Sequence, residues 1–125
     1  MSTVLIVEDN LLLAECYTRW LTAGGYDVRC AIGAQAALDE LDDELPDVLL
    51  VDILLHGANG IQLLQTLRSH SDFFHIPVVL CSSVVPSTLL PSLRAYGVLA
   101  VLDKSTLTRR RLAEAVGKAL NEATV

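Results

Sequence analysis

The amino-acid sequence predicts an α/β fold, a doubly wound parallel sheet of five strands with helices on both faces. Two observations lead to this prediction. Five short apolar runs alternate along the chain with segments whose apolar residues recur at helical spacing, which is typical of a parallel sheet with crossover helices. The third run, DVLLV, is apolar from its second residue onward, as expected of a strand that is buried on both faces.

The first half of the chain holds three of the predicted strands and two helices, in the order Thr3–Val7, Leu12–Leu21, Tyr26–Ala31, Ala34–Leu41 and Asp47–Val51. Gly24 and Gly25 end the first helix, because glycine readily adopts the backbone conformation that terminates helices. Pro46 precedes the third strand and separates it from the second helix, which a proline cannot continue.

The second half holds helix, strand, helix, strand and helix, in the order Ile61–Leu67, Val78–Cys81, a segment between Pro86 and Tyr96, Leu99–Leu102 and Leu107–Leu120. Gly57 and Gly60 lie in the loop before the first of these helices, and Gly97 ends the second. Pro91 falls inside that second helix, where its ring and its missing N–H cost about 3 kcal/mol. This helix is therefore predicted to be short, kinked or displaced, with a start near Ser87 or near Pro91.

Length and composition favour one domain of 125 residues, with a core over about residues 3–121. Apolar residues make up 52% of the chain, which argues against disorder. The net charge of −6 argues against nucleic-acid binding, and the run Arg109–Arg111 is interpreted as a solvated helix start. No apolar run is long enough to cross a membrane and no signal peptide is recognisable, so a cytoplasmic location without membrane contact is expected.

The cysteines agree with that location. Cys16, Cys30 and Cys81 are odd in number and widely spaced, so they fit neither a disulfide framework nor a zinc site. Reduced, buried thiols are therefore expected.

Polar residues follow four of the five predicted strands at their carboxyl ends, namely Glu8 and Asp9, then Asp52, then Ser82 and Ser83, and finally Lys104. In a parallel sheet these ends share one edge. Glu8 and Asp9 can meet Asp52 closely only if the first and third strands are neighbours. This condition predicts the strand order 2-1-3-4-5, with the reversal of order beside the carboxylates.

Three carboxylates in one cleft repel one another and stay ionised only with a cation among them. Oxygen ligands without histidine or cysteine favour a hard ion, and Mg²⁺ is the usual choice where water and phosphate oxygens complete the coordination. Lys104 can pair with one carboxylate and neutralise a phosphate oxygen, and the Ser82 hydroxyl can donate to the same phosphate. Together these are the parts of a phosphoryl-transfer site with a carboxylate nucleophile.

In these residues the chain closely resembles the receiver domain of two-component response regulators, over about residues 3–121. Val4–Asn10 is similar to the first strand and acid pair of that family, and Val48–Asp52 is similar to its phospho-acceptor strand. The loop Asp52–Gly60 matches the family loop at the aspartate and at both glycines. The resemblance implies a flavodoxin-like (βα)5 fold and a single domain similar to the chemotaxis regulators.

The resemblance also implies a phosphorylation site. Asp52 would accept the phosphoryl group, and Mg²⁺ would be held by Glu8, Asp9, Asp52 and the backbone carbonyl of Leu54. Lys104 takes the position of the family's lysine. Ser82 takes that of its switch serine or threonine, although Ser83 is adjacent and spacing alone chooses between them.

In the family the phosphoryl donor is a phosphohistidine, carried by a sensor histidine kinase or a histidine phosphotransfer domain. The receiver then rearranges its fourth helix and fifth strand, and a downstream protein, here unknown, recognises the face formed with the fifth helix. The resemblance thus implies a signalling domain that is not an enzyme and binds neither nucleic acid nor membrane.

Four positions depart from the family pattern, namely Pro91, His56, Val101 and Ser105. His56 replaces a loop proline. Val101 replaces the aromatic switch residue, and Ser105 replaces the proline after the lysine. A cis bond before Ser105 would cost about 2.5–4 kcal/mol, so a trans bond or strain is expected there. Phosphorylation is expected to be retained with a different readout, the alternative being a phosphorylation-independent scaffold or interaction module.

Two other classes of protein are disfavoured, namely a phosphatase and a flavin carrier. A phosphatase with an aspartate nucleophile usually carries a second aspartate as general acid where this chain has Leu54. A flavin carrier of similar topology would have a phosphate loop rich in threonine, serine or glycine in place of Glu8–Asn10.

Leu54 and Val84 are predicted to flank the path of the water that hydrolyses an aspartyl phosphate. Neither side chain can orient or polarise that water, so the aspartyl phosphate is expected to outlive that of receivers with polar residues there. The loss of label from the phosphorylated protein, followed without any phosphatase, measures this lifetime. Rapid loss would contradict the prediction.

Overall fold

The strands of the sheet lie in the order that the sequence predicts. A computed structural model describes residues 2–55, 58–83 and 90–123 of the chain. Its main sheet consists of β1 (Thr3–Val7), β2 (Asp27–Ala31), β3 (Val48–Asp52), β4 (Val78–Ser82) and β5 (Val98–Asp103). The order is β2-β1-β3-β4-β5, and all neighbouring strands are parallel. The predicted fold class is therefore confirmed, and each strand lies within one residue of its predicted ends.

The helices within the described ranges are α1 (Leu11–Ala23), α2 (Ala34–Asp43), α3 (Gly60–Arg68), α4 (Leu90–Leu93) and α5 (Arg109–Ala123). Buried side chains of α1 and α5 pack on one face of the sheet, and those of α2, α3 and α4 pack on the other. Arg109–Arg111 are exposed in the first turn of α5, as predicted for a solvated helix start. In the described part of the chain no helix is long and apolar enough to cross a membrane.

The central strands supply both halves of the core, because successive residues of a strand face opposite sides of the sheet. On β1, Val4 and Ile6 pack toward α1 and α5, whereas Leu5 and Val7 pack toward α2 and α3. All four side chains are fully buried. This double burial explains why the central strands are continuous apolar runs in the sequence.

The fourth helix is short, as its proline predicts. α4 spans four residues and continues into a turn of 3₁₀-helix over Arg94–Tyr96. Pro91 is the second residue of α4, in the first turn, where a helix needs no N–H partner and tolerates proline. Gly97 ends the segment in the left-handed conformation, with φ of 84°. The alternative start near Ser87 lies outside the described residues.

A short hairpin that the sequence does not predict follows β3. Leu54–Leu55 pairs in antiparallel fashion with Ala58–Asn59, and α3 begins directly after it. The N–H of Gly60 donates to the Ile53 carbonyl at 2.5 Å. A Cβ atom at Gly60 would collide with the backbone of Asp52, so the return of the loop to the strand requires glycine. His56 and Gly57, at the tip, lie outside the described residues.

The cysteines are free thiols, but the prediction that they are buried is wrong for one of them. Cys81 is buried on β4, Cys16 is partly buried on α1 and Cys30 is exposed. Cys30 lies on β2, an edge strand with a neighbour on one side alone. At this edge its Sγ atom lies 3.1 Å from the Thr18 hydroxyl on α1.

Arg29 on β2 fixes the carboxyl end of α2. Its Nη1 donates to Glu40 Oε2 at 2.8 Å, and its Nη2 donates to the Glu44 carbonyl at 2.6 Å. Arg29→Met keeps the aliphatic stem and removes these donors, so the free energy of unfolding should fall by about 1 kcal/mol in urea denaturation. The matched variant Arg19→Met, at an exposed position of α1, should change it by a few tenths at most. Equal urea midpoints for both variants would contradict the assignment.

Candidate functional site

The polar residues singled out in the sequence meet at the carboxyl edge of the sheet. Glu8 follows β1, Asp52 ends β3, Ser82 ends β4 and Lys104 follows β5. The parallel register places Asp52 opposite Cys81 and places Ser82 opposite Asp103, the residue before Lys104. Side chains that lie far apart in the chain are therefore brought to one edge by the strand order.

Lys104 joins two carboxylates of this edge. Its Nζ donates to Glu8 Oε1 at 2.6 Å and to Asp52 Oδ2 at 2.7 Å. The side chains of Glu8, Asp52 and Lys104 are 4%, 7% and 15% exposed, so the contacts are largely shielded from water. The sequence indicates a pair with one carboxylate, whereas the ammonium is shared by two.

Burial and pairing act in opposite directions on these groups. Burial raises the pKa of Glu8 above its ordinary 4.5, and hydrogen bonds from Lys104 and from the Asn10 N–H offset part of that rise. Burial by itself would lower the pKa of Lys104, but the hydrogen bonds to Asp52 and Glu8 outweigh burial and raise the pKa above its ordinary 10.5. Lys104 therefore stays charged at neutral pH.

Asp9 follows Glu8 in the chain and precedes Asn10, the residue before α1. Asn10 caps that helix, because its Oδ1 accepts from the N–H groups of Leu12 and Leu13 at 3.0 and 3.2 Å. A Cβ atom at Gly33 would lie 3.7 Å from Asp9 Oδ1, so the loop after β2 approaches this carboxylate closely. We refer to Glu8, Asp9 and Asp52, the three acids that the sequence predicts at this edge, as the acid cluster.

The two serines after β4 differ in burial. Ser82 is 1% exposed and its carbonyl accepts from the Lys104 N–H at 3.1 Å, whereas Ser83 is exposed. A cavity of about 210 Å³ lies against both serines and against Val101 on β5, which is 40% exposed. Burial therefore favours Ser82 over Ser83 as the hydroxyl of the site.

The segment after Lys104 has ordinary trans geometry. In the described ranges no peptide bond is cis, in agreement with the expectation for Ser105. The Ser105 hydroxyl and N–H donate to Asp103 Oδ1 at 2.8 and 2.9 Å, and these bonds lower the pKa of Asp103. A side-chain turn thus takes the place of the proline expected from the family.

The donor set of the acid cluster suits a hard divalent ion, because it consists of carboxylate oxygens and two of its members already converge on one cation. Among the described residues no group of three or more histidine, cysteine, aspartate or glutamate side chains is arranged to hold a metal ion. The Lys104 ammonium lies where Glu8 and Asp52 would otherwise face each other. A Mg²⁺ site at Glu8, Asp9, Asp52 and the Leu54 carbonyl therefore stays a prediction.

Beneath this site lies a buried contact that the sequence does not predict. The Tyr17 hydroxyl on α1 lies 3.9 Å from the Sγ atom of Cys81, which neighbours both Ser82 and, across the sheet, Asp52. Helical spacing places Tyr17 on the buried face of α1. It does not indicate what the tip of the side chain contacts.

Comparison with known proteins gives a consistent result. Residues 4–117 match the family model described as the response regulator receiver domain. The chain is 34% identical over 115 residues to protein-glutamate methylesterase/protein-glutamine glutaminase 5 of Anaeromyxobacter dehalogenans, and 30% identical over 111 residues to the sensory/regulatory protein RpfC of Xanthomonas campestris pv. campestris. These matches cover 89% and 87% of this chain but 31% and 15% of those proteins, so the chain spans less than a third of either relative.

Solved structures agree on the fold. A protein from Chloroflexus aurantiacus, described as a response regulator, superposes with a TM-score of 0.87 at 28% identity, over 96% of this chain and 98% of that one. A CheY-like receiver domain protein from Methanospirillum hungatei superposes with a TM-score of 0.89, over 99% and 97% of the two chains. At 22% identity, the second likeness concerns the fold alone.

The ion pair predicts how stability responds to the loss of Lys104. Lys104→Met leaves two buried carboxylates without their shared cation, so the free energy of unfolding at pH 7 should fall by about 3 kcal/mol. Without the ammonium, burial holds the pKa of Glu8 above its ordinary 4.5, so the variant gains stability as the pH falls through that pKa. Urea denaturation of both proteins at pH 7 and pH 4 should therefore show a smaller deficit at pH 4.

Lys118→Met, at an exposed position of α5, is the control and should leave the free energy of unfolding nearly unchanged at both pH values. A Lys104→Met deficit that is the same at pH 4 and pH 7 would show that the carboxylates do not depend on the ammonium.

Proposed function

Because this chain belongs to the family of response regulator receiver domains of two-component systems, we propose that it accepts a phosphoryl group on Asp52. Receiver domains are signalling domains and not typical enzymes. The observation that carries the proposal is the sharing of one buried ammonium, that of Lys104, between Glu8 and Asp52. A scaffold of the same fold does not require buried carboxylates at this edge, since their burial is costly.

In the proposed reaction an Asp52 carboxylate oxygen attacks the phosphorus atom of a phosphohistidine. The new O–P bond forms as the N–P bond breaks, and the imidazole nitrogen leaves with its electron pair. Lys104 already contacts Asp52 Oδ2 at 2.7 Å, so its ammonium is placed to neutralise an oxygen of the arriving phosphoryl group. The Ser82 hydroxyl donates to a second phosphoryl oxygen.

Mg²⁺, when bound by Glu8, Asp9, Asp52 and the Leu54 carbonyl, would supply further positive charge at the phosphoryl oxygens. The acid cluster has a part in the reaction even so. Glu8 holds the Lys104 ammonium in place, and that ammonium in turn keeps the Asp52 side chain oriented at the sheet edge.

The phosphoryl donor is, in this proposal, a sensor histidine kinase or a histidine phosphotransfer domain in the cytoplasm, and the acceptor of the signal is a protein not yet identified. The usual output face contains α4, β5 and α5. Here α4 spans four residues. Val101 replaces the aromatic residue of the family and lines a cavity of about 210 Å³. We therefore expect the readout to differ from aromatic coupling on β5.

Phosphoryl transfer to Asp52 can be tested directly. Incubation with acetyl phosphate and Mg²⁺ should add one phosphoryl group to the wild type by intact mass and none to Asp52→Asn, which lacks the nucleophilic oxygen pair. Asp39→Asn makes the same change of charge at an exposed position of α2 and should label like the wild type. Omission of Mg²⁺ should abolish labelling.

Two outcomes would overturn the proposal. Labelling that persists in Asp52→Asn would move the acceptor to another residue. Absence of any adduct in the wild type, together with no binding of beryllofluoride, would favour the phosphorylation-independent scaffold.

A further inference from the structure

The buried layer beneath the acid cluster contains a phenol and a thiol in contact. Tyr17 on α1 is 3% exposed and Cys81 on β4 is 2% exposed. Their Oη and Sγ atoms are 3.9 Å apart, which is within the range of a weak hydrogen bond to sulfur. This contact links α1 to the carboxyl end of β4, at the residue before Ser82.

Stability alone does not explain the Tyr17 hydroxyl. A buried hydroxyl costs free energy unless it is well hydrogen-bonded, and a thiol is a weak partner. Phenylalanine would fill the same space among the apolar side chains of α1 and α5 without that cost. The hydroxyl is therefore expected to be neutral or unfavourable for folding.

The position of Cys81 connects the contact to the site. In the parallel register Cys81 stands between Asp52 on β3 and Leu102 on β5, and Ser82 is the next residue of the strand. The Ser82 carbonyl in turn accepts from the Lys104 N–H at 3.1 Å. A displacement of Cys81 would therefore act first on the Ser82 hydroxyl, which belongs to the next side chain of the strand.

Both groups stay protonated at neutral pH. Burial raises the pKa of Tyr17, and burial raises the pKa of Cys81 to about 11. The layer thus adds hydrogen-bonding capacity beneath the acid cluster without adding a further negative charge.

We propose that Tyr17 is a positioning residue of the phosphoryl-accepting site, which holds the end of β4 through Cys81 and thereby places the Ser82 hydroxyl. This inference rests on the function proposed above. It assigns to a buried residue of α1 a part in phosphorylation.

The experiment compares Tyr17→Phe with the wild type in two measurements, the rate of labelling by acetyl phosphate with Mg²⁺ and the melting temperature. Tyr17→Phe should slow labelling about three- to tenfold, the rate equivalent of one modest hydrogen bond, without lowering the melting temperature. In a Ser82→Ala background the same substitution should have no further effect, because the residue that it positions is gone. Tyr26→Phe removes a hydroxyl from a partly buried tyrosine of the same apolar cluster and should leave the rate unchanged.

Each other result has a distinct meaning. Labelling of Tyr17→Phe at the wild-type rate would overturn the inference and leave the proposed function standing. A lowered melting temperature with an unchanged rate per folded molecule would show that Tyr17 is only structural. An equal slowing in the Ser82→Ala background would show that Tyr17 does not act through Ser82. A wild type that does not label would overturn the proposed function, and the inference with it.

Discussion

The Lys104 ammonium between Glu8 and Asp52 is the interaction on which the rest of the site depends. Carboxylates as buried as these would repel each other and would lack the hydration that ionised groups need. One cation within hydrogen-bonding distance of both carboxylates offsets their repulsion and replaces part of the lost hydration. Because β4 separates β3 from β5, the Lys104 side chain reaches across the end of β4 to contact both acids. The ion pair therefore requires three things at once, namely this strand order, a side chain as long as lysine and one positive charge between the two acids.

Much of this arrangement could be predicted from the sequence, because it depends on where buried strands end. A run such as β3 has five buried residues, and the polar residue at its end must lie at the carboxyl edge, whatever its neighbours are. The convergence of Glu8 and Asp52 and the strand order follow from that placement. The sharing of Lys104 by both acids does not, since it depends on how far one flexible side chain reaches.

The features that sequence analysis missed are those without a periodic signal. Strands of two residues, as in the Leu54–Leu55 hairpin, are too short to show alternation. The exposure of Cys30 results from the edge position of β2, which depends on the whole strand order. The contact of Tyr17 with Cys81 joins two residues that each look like ordinary core positions. In all three cases the deciding neighbours are distant in the chain.

Tyr17 packs against a tryptophan of α1, which provides an intrinsic fluorophore next to the buried contact. The chain has one tryptophan, Trp20, and its ring centroid lies 6.0 Å from that of Tyr17. Because indole absorbs at longer wavelengths than the three tyrosines, light at that edge excites a single side chain, which is separated by Tyr17 from the thiol beneath the acid cluster. The intrinsic fluorescence of the protein therefore comes from an indole that packs against Tyr17, with no dye attached and no residue replaced.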